Sequence, residues 1–214
     1  MGTEIAPFGC AILGAGEIAD YGRVAGLTAP GAFVVCADGG FSHCQALGLR
    51  PGLLVGDFDS LEAAPPEDIP RVTLTPEKDY TDSYLAARQA VGRGYARLLL
   101  SGMLGGRLDH TLANIQLLAG LAREGADVML TDGVTDGFAL AGGGRLLLPH
   151  REDCYFSLFA LEACRGLAIV GGRYPLKGFL LQPDDPRAVS NEFVGGDAVI
   201  TQESGLLVVI CCPK

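Results

Sequence analysis

Two hydrophobic patterns divide the chain. Over roughly the first 140 residues, short unbroken apolar runs alternate with segments of helical period. Gly9 to Leu13, Ala32 to Ala37, Leu53 to Val55, Arg97 to Ser101 and Asp127 to Thr131 are the runs. Strands of a parallel sheet are covered on both faces, so they are apolar along their length rather than at alternate positions. Between them, Ser42 to Leu47, Asp82 to Val91 and Thr111 to Arg123 read as helices. In the third, Leu112, Ile115, Gln116, Leu118, Ala119 and Ala122 trace most of one apolar face. Asp109 or Thr111 stands where a cap would start that helix, and Gly125 where one would end it. The alternation predicts an α/β domain over residues 1–142 with a mostly parallel, Rossmann-like sheet.

After Ala141-Gly142-Gly143-Gly144 the helical period is gone. Leu146 to Leu148, Tyr155 to Leu161, Leu167 to Val170, Gly178 to Leu181, Ala198 to Gln202 and Leu206 to Cys212 read as strands separated by Gly, Pro and Asp turns. Glu203-Ser204-Gly205 predicts a tight connection between the last two. Residues 143–214 are expected to form a small all-β sandwich or barrel.

The polar residues that follow the apolar runs carry the candidate chemistry. Gly56-Asp57-Phe58-Asp59-Ser60 sets two carboxylates two positions apart just past a strand. In extended chain they point the same way, and like charges held so close call for a cation, Mg²⁺ being the usual one. The same residues also make an ordinary turn. Lys78-Asp79-Tyr80-Thr81-Asp82 precedes a helix. Two acids and a lysine there exceed what a cap requires: Lys78 suits a phosphate, and Asp82 suits a metal shared with Asp57 and Asp59. Ala37-Asp38-Gly39-Gly40 permits close backbone approach to a phosphate or base, with Asp38 able to accept from a ribose or amine. Gly102 to His110 offers the glycines Gly105 and Gly106, then Arg107, whose planar fork matches phosphate oxygens; no Walker A lysine follows. Gly14-Ala15-Gly16-Glu17-Ile18-Ala19 matches a dinucleotide-binding pattern, and is equally a plain glycine turn. Ligands of open α/β sheets bind outside the carboxyl ends of the strands. Several such loops on one rim therefore mark an active site.

Composition narrows the classes. The chain has 214 residues, 49% of them hydrophobic, with a net charge of −9 and no Lys/Arg cluster. That is ample core material and argues against disorder and against nucleic acid as a partner. The 7 cysteines are odd in number and most lie in or beside apolar runs, so they read as buried, reduced thiols rather than a disulfide frame. No stretch approaches membrane-spanning length, and a cytoplasmic protein is expected.

Taken together, Ala37-Asp38-Gly39-Gly40, Gly56-Asp57-Phe58-Asp59-Ser60, Lys78-Asp79-Tyr80-Thr81-Asp82, Gly105-Gly106-Arg107-Leu108-Asp109-His110-Thr111-Leu112-Ala113-Asn114 and Ser190-Asn191-Glu192-Phe193 resemble the thiamine pyrophosphokinase family, as does Tyr174-Pro175-Leu176 its bacterial form. The resemblance implies an α/β domain that holds ATP, a β-sandwich that contributes to the thiamine site, and a homodimer with its active site at the subunit interface. It implies Mg²⁺ and triphosphate on Asp57, Asp59 and Asp82 with Asp79 nearby. Asp38, Gly39, Gly40, Lys78, Thr81, Gly105, Gly106, Arg107 and Asp109 would serve ATP, and Ser190 and Asn191 would approach thiamine. The reaction implied is transfer of the diphosphoryl group of ATP to the thiamine hydroxyl, with a carboxylate such as Asp82 or Asp79 taking the proton. The C-terminal segment has no Trp, so the thiamine ring-stacking partner is unassigned. Three rivals stand beside this reading. They are an NAD-dependent oxidoreductase built on Gly14, Gly16, Ala19 and Asp38, a diphosphokinase acting on a pterin-like alcohol, and a silent nucleotide-binding module.

Overall fold

A computed structural model describes residues 4–57, 66–73 and 79–214. The chain divides into two units, Pro7–Leu117 with Asp127–Gly133, and Met1–Ala6 with Leu118–Ala126 and Val134–Lys214.

In chain order the first stretch contains β1 (Phe8–Leu13), α1 (Tyr21–Leu27), β2 (Thr28–Ala37), α2 (Gly40–Ala46), β3 (Leu53–Gly56), β4 (Arg71–Thr73), α3 (Asp82–Gly92), β5 (Arg97–Ser101), α4 (Leu108–Arg123) and β6 (Asp127–Thr131). The six strands pair in parallel in the order β4-β3-β2-β1-β5-β6. All five expected strands are present, and their apolar runs are buried: Leu98, Leu99 and Leu100 have no exposed surface, nor do Leu54 and Val55. Leu13 pairs with both Cys36 and Ser101, and Ala37 with Val55. The strand ends are therefore level, and Gly14, Asp38, Asp57 and Gly102 leave the sheet on one rim. The chain steps outward from β1 to β4 and then returns to the other side of β1 with β5. The crevice between β1 and β5 is thus the point where strand order reverses.

Two elements of this unit lack a sequence signature. α1 has seven residues, two of them glycine, and is held by its cap: the Asp20 carboxylate accepts from the Arg23 amide at 2.9 Å. β4 is a three-residue edge strand whose side chains are largely exposed, so no apolar run marks it.

The second unit contains β7 (Asp136–Ala141), β8 (Gly144–Leu148), β9 (Cys154–Val170), β10 (Leu176–Leu181), β11 (Asn191–Glu192), β12 (Ala198–Gln202) and β13 (Ser204–Pro213). All its pairings are antiparallel. β9 is one 17-residue strand where two were expected. Its first half pairs with β13, its second with β12 and β10. Gly166, at φ +63°, lies at the change of partner. A strand that exchanges partners across a bend turns a corner between layers. Phe156, Leu158 and Ala160 from one half and Leu167 and Ile169 from the other join a single core with Ile200, Leu207 and Val209. Glu203 is a tight connection, yet it does not make a hairpin: β12 and β13 lie on opposite sides of β9. β7, absent from the sequence reading, opens on Asp136, which is only 2% exposed and ion-paired to Arg151 at 2.8 Å.

Candidate active site

At the rim, the glycines after β1 serve chain packing. The Gly16 amide donates to the Gly102 carbonyl at 2.7 Å, and the Gly14 amide to that of Ser101 at 2.8 Å. A Cβ at Gly14 would lie 2.6 Å from the Gly102 carbonyl oxygen, and one at Gly16 2.8 Å from the same atom. Backbone cannot yield at such distances, so both positions require glycine. In a dinucleotide fingerprint the turn opens a helix whose amides hold the pyrophosphate. Here α1 starts only at Tyr21 behind its own Asp20 cap, and the Gly16 amide is already bonded within the protein. The oxidoreductase reading loses its motif.

After β2, Asp38 adopts φ +48°, a left-handed conformation that Asp tolerates better than most residues. Its amide donates to the Val55 carbonyl at 3.0 Å, which joins this loop to the end of β3. Gly56 has φ +152°, and a Cβ there would stand 2.1 Å from Asp38 Oδ1. The glycine that opens the acidic motif thus makes room for the Asp38 carboxylate. Gly40 is demanded by close approach too, since its Cβ would meet the Leu13 carbonyl oxygen at 1.9 Å. Asp57 follows directly on β3; Asp59 and Lys78 lie outside the described residues.

The start of α3 resolves the question of capping. Thr81 is the cap, its hydroxyl accepting from the Tyr84 amide at 3.2 Å. Capping therefore does not account for Asp79 or for Asp82, the first helical residue.

After β5, Gly105 and Gly106 have φ of +76° and +62°, with open space where a Cβ would be. Arg107 Nε and Nη2 donate to Asp109 at 3.1 and 2.6 Å. The guanidinium hydrogen bond is the main cause that lowers the Asp109 carboxyl below the ordinary carboxylate range. Neither residue expected to cap α4 does so, because the helix begins at Leu108; Thr111 instead donates its hydroxyl to Gly105 O at 3.1 Å. The buried face of α4 is also turned from the expected one. Leu118 and Ala119 are buried as expected, but Leu112 and Gln116 are exposed, and Asn114, Leu117 and Leu121 are buried instead. Asn114 Nδ2 donates to the Met103 carbonyl at 2.8 Å and so pins the loop after β5. An Asn on the apolar side of an otherwise regular helix was the signal for that role.

These loops surround a cleft of about 610 Å³ within the first unit. Asp38, Asp79, Thr81, Asp82, Gly105, Gly106 and Arg107 line it, as do Ala15, Gly16, Tyr80 and Met103. Gly39, Gly40, Asp57 and Asp109 are not among the lining residues. The cleft joins hard oxygen donors to an arginine fork and two exposed glycines, which suits a polyphosphate with a hard divalent cation. Among the described residues no three His, Cys, Asp or Glu side chains form a ready metal cage. No helix among them is long and apolar enough to cross a membrane.

In the second unit, Ser190 is left-handed at φ +58°, and its amide donates to Ser157 Oγ at 2.9 Å. Asn191 is buried and its side-chain amide is bonded at both ends: Nδ2 donates to Tyr174 O at 2.8 Å, and Oδ1 accepts from the amides of Tyr174 and Glu192 at 3.0 and 2.9 Å. Its side chain holds the Tyr174 turn against β11.

Comparison with known proteins matches two family models, "Thiamin pyrophosphokinase, catalytic domain" over residues 26–130 and "Thiamin pyrophosphokinase, vitamin B1 binding domain" over residues 145–207. A thiamine pyrophosphokinase of Bacillus subtilis is 27% identical over 169 residues, 76% of this chain and 79% of that protein. The crystal structure of thiamine pyrophosphokinase from B. subtilis superposes with a TM-score of 0.85 at 24% identity, covering 96% of this chain and 99% of the other. That from Geobacillus thermodenitrificans gives 0.81 at 25% identity, covering 96% and 97%.

Proposed function

The chain belongs to the thiamine pyrophosphokinase family, diphosphotransferases that use ATP, and from that premise we propose that the cleft at the β1/β5 crevice is where diphosphate passes from ATP to thiamine. The observation that carries the reading is the convergence of Asp38, Asp79, Asp82, Gly105, Gly106 and Arg107 on that one cleft. Asp38 accepts from the ribose or base, and the glycine amides with Arg107 and Lys78 take phosphate oxygens. To reach them, Arg107 exchanges the Asp109 carboxylate for phosphate. Asp57, Asp59 and Asp82 would hold Mg²⁺, a hard cation suited to carboxylates, which neutralises charge on the phosphates when bound. Thr81 fixes the turn that presents Asp79 and Asp82, either of which can take the proton from the thiamine hydroxyl as it attacks the β-phosphorus; AMP departs. Such a transfer depends on positioning and charge more than on covalent help from the protein.

The finer architecture belongs to the same reading: a Rossmann-like nucleotide domain, a β-sandwich contributing Ser190 and Asn191 to the thiamine end, and a cytoplasmic homodimer with the active site at the subunit interface. Asn191 serves there by holding the Tyr174 turn.

Protein mixed with Mg-ATP and thiamine is expected to form AMP and thiamine diphosphate in equal amounts. ADP in place of AMP would refute the reaction. Asp82→Asn should lower kcat about 100-fold or more, the scale of a lost metal ligand, while its melting temperature reports intact fold. Near wild-type turnover at limiting Mg²⁺ would remove Asp82 from the metal site.

A further inference from the structure

The phosphate chemistry leaves one wall of the cleft without a task. Tyr80 lines it, is 56% exposed, and stacks on Tyr84 with ring centroids 4.8 Å apart and planes 14° from parallel. Tyr84 is fixed in the first turn of α3 by the Thr81 cap, and one turn further on the Arg88 guanidinium stands 6.0 Å from the Tyr84 ring centre. The Tyr80 ring is thus held on one face by its own chain. A side chain already held in place loses little freedom when a ligand lies against it.

We propose that Tyr80 is the platform on which the thiazolium ring of thiamine lies during transfer, an inference that rests on the thiamine pyrophosphokinase reading. The reacting hydroxyl is carried on a two-carbon arm of that ring, so the ring must lie close to the attacked phosphorus. Tyr80 stands between Asp79 and Asp82, the residues assigned to that phosphorus and its metal. Adenine is separated from the same phosphorus by the ribose and the α-phosphate, which places it further along the cleft. Charge favours the same choice. The thiazolium is cationic, a tyrosine face is electron-rich, and Asp79 lines the cleft beside it. The chain has no Trp, so a ring for this purpose must come from Tyr or Phe.

Three variants at residue 80 test the inference. Tyr80→Ala should raise KM for thiamine roughly fivefold to thirtyfold, the worth of a cation–π contact, with a smaller change in KM for ATP. Tyr80→Phe keeps the ring and should rise less. Tyr80→Trp introduces the sole indole of the chain. Its emission should be quenched saturably by thiamine when Mg²⁺ and a nonhydrolysable ATP analogue are present. A rise confined to KM for ATP would give the ring to adenine and overturn the proposal, as would unchanged constants in Tyr80→Ala. A wild-type protein that makes no thiamine diphosphate would sink the family reading itself. One that makes it, with KM for thiamine indifferent to residue 80, would sink this inference alone.

Discussion

Gly56→Ala separates a positional effect from a stability effect. Gly56 sits at φ +152°, a region almost reserved for glycine, and an added Cβ would stand 2.1 Å from Asp38 Oδ1 and 3.2 Å from the Asp38 amide nitrogen. Strain of this kind costs about 1–3 kcal/mol. A loss of about 2 kcal/mol in a chain of this length lowers the melting temperature by roughly 4–8 °C. The Asp38 amide is tied to Val55 O at 3.0 Å, so the carboxylate is the part that can move. Its displacement removes a charged acceptor from the nucleotide end of the cleft, worth about 1.5–3 kcal/mol, or roughly a tenfold to hundredfold rise in KM for ATP. Gly94→Ala is the control: φ +88° with open space around its Cβ, at the end of α3 and away from the cleft lining. It should lower the melting temperature without raising KM for ATP. Both constants are read from initial rates of AMP formation beside thermal melts. If Gly56→Ala raised KM for ATP no more than Gly94→Ala, the assignment of Asp38 to the nucleotide would be wrong.

Two further outcomes test the packing. Arg151→Ala leaves the carboxylate of Asp136, 2% exposed, without its 2.8 Å ion pair, and should destabilise the protein by about 3 kcal/mol in chemical denaturation; a change below about 0.5 kcal/mol, the range of ordinary surface substitutions, would contradict the reading of that pair. Burial pushes the Cys10 thiol up to about 12 and the Cys164 thiol up to about 11, and Cys212 is the one cysteine of the 7 that is not buried. Thiol titration of the native protein at pH 8 should therefore be slow, with Cys212 modified first and all seven reacting in denaturant; rapid modification of Cys10 would refute it.

What the sequence made legible follows from where each element is buried. β2, β3, β5 and β6 could be read because strands covered on both faces need unbroken apolar runs. β7 could not. It opens on Asp136, whose burial depends on Arg151, 15 residues further on, and no local pattern shows that partner. β9 was divided because Glu162 and Arg165 are exposed near its corner, and exposed charges interrupt an apolar run without ending a strand. At the site, Asp38 and Arg107 were legible because each follows shortly after a buried strand, and Asp79 and Asp82 because they crowd a helix start. Tyr80 was not, since an exposed ring beside a helix cap has no period to reveal it; its meaning comes from Tyr84, one turn away.

The glycines carry the same lesson into function. Sequence alone gives Gly14, Gly16 and Gly40 two indistinguishable uses, close approach of a ligand or close approach of the chain, because both require a missing Cβ. The distances separate them: Gly14 and Gly16 abut the Gly102 carbonyl and Gly40 that of Leu13, whereas Gly105 and Gly106 face open space in the cleft wall. The first set draws three loops together and the second leaves the loop after β5 open where it borders the cavity. A phosphate-binding rim needs both kinds. Tight backbone packing levels the loops at the β1/β5 crevice, and only then can the loop after β5, held by the Thr111 hydroxyl at Gly105 and by Asn114 at Met103, set its second pair of glycines beside the fork of Arg107.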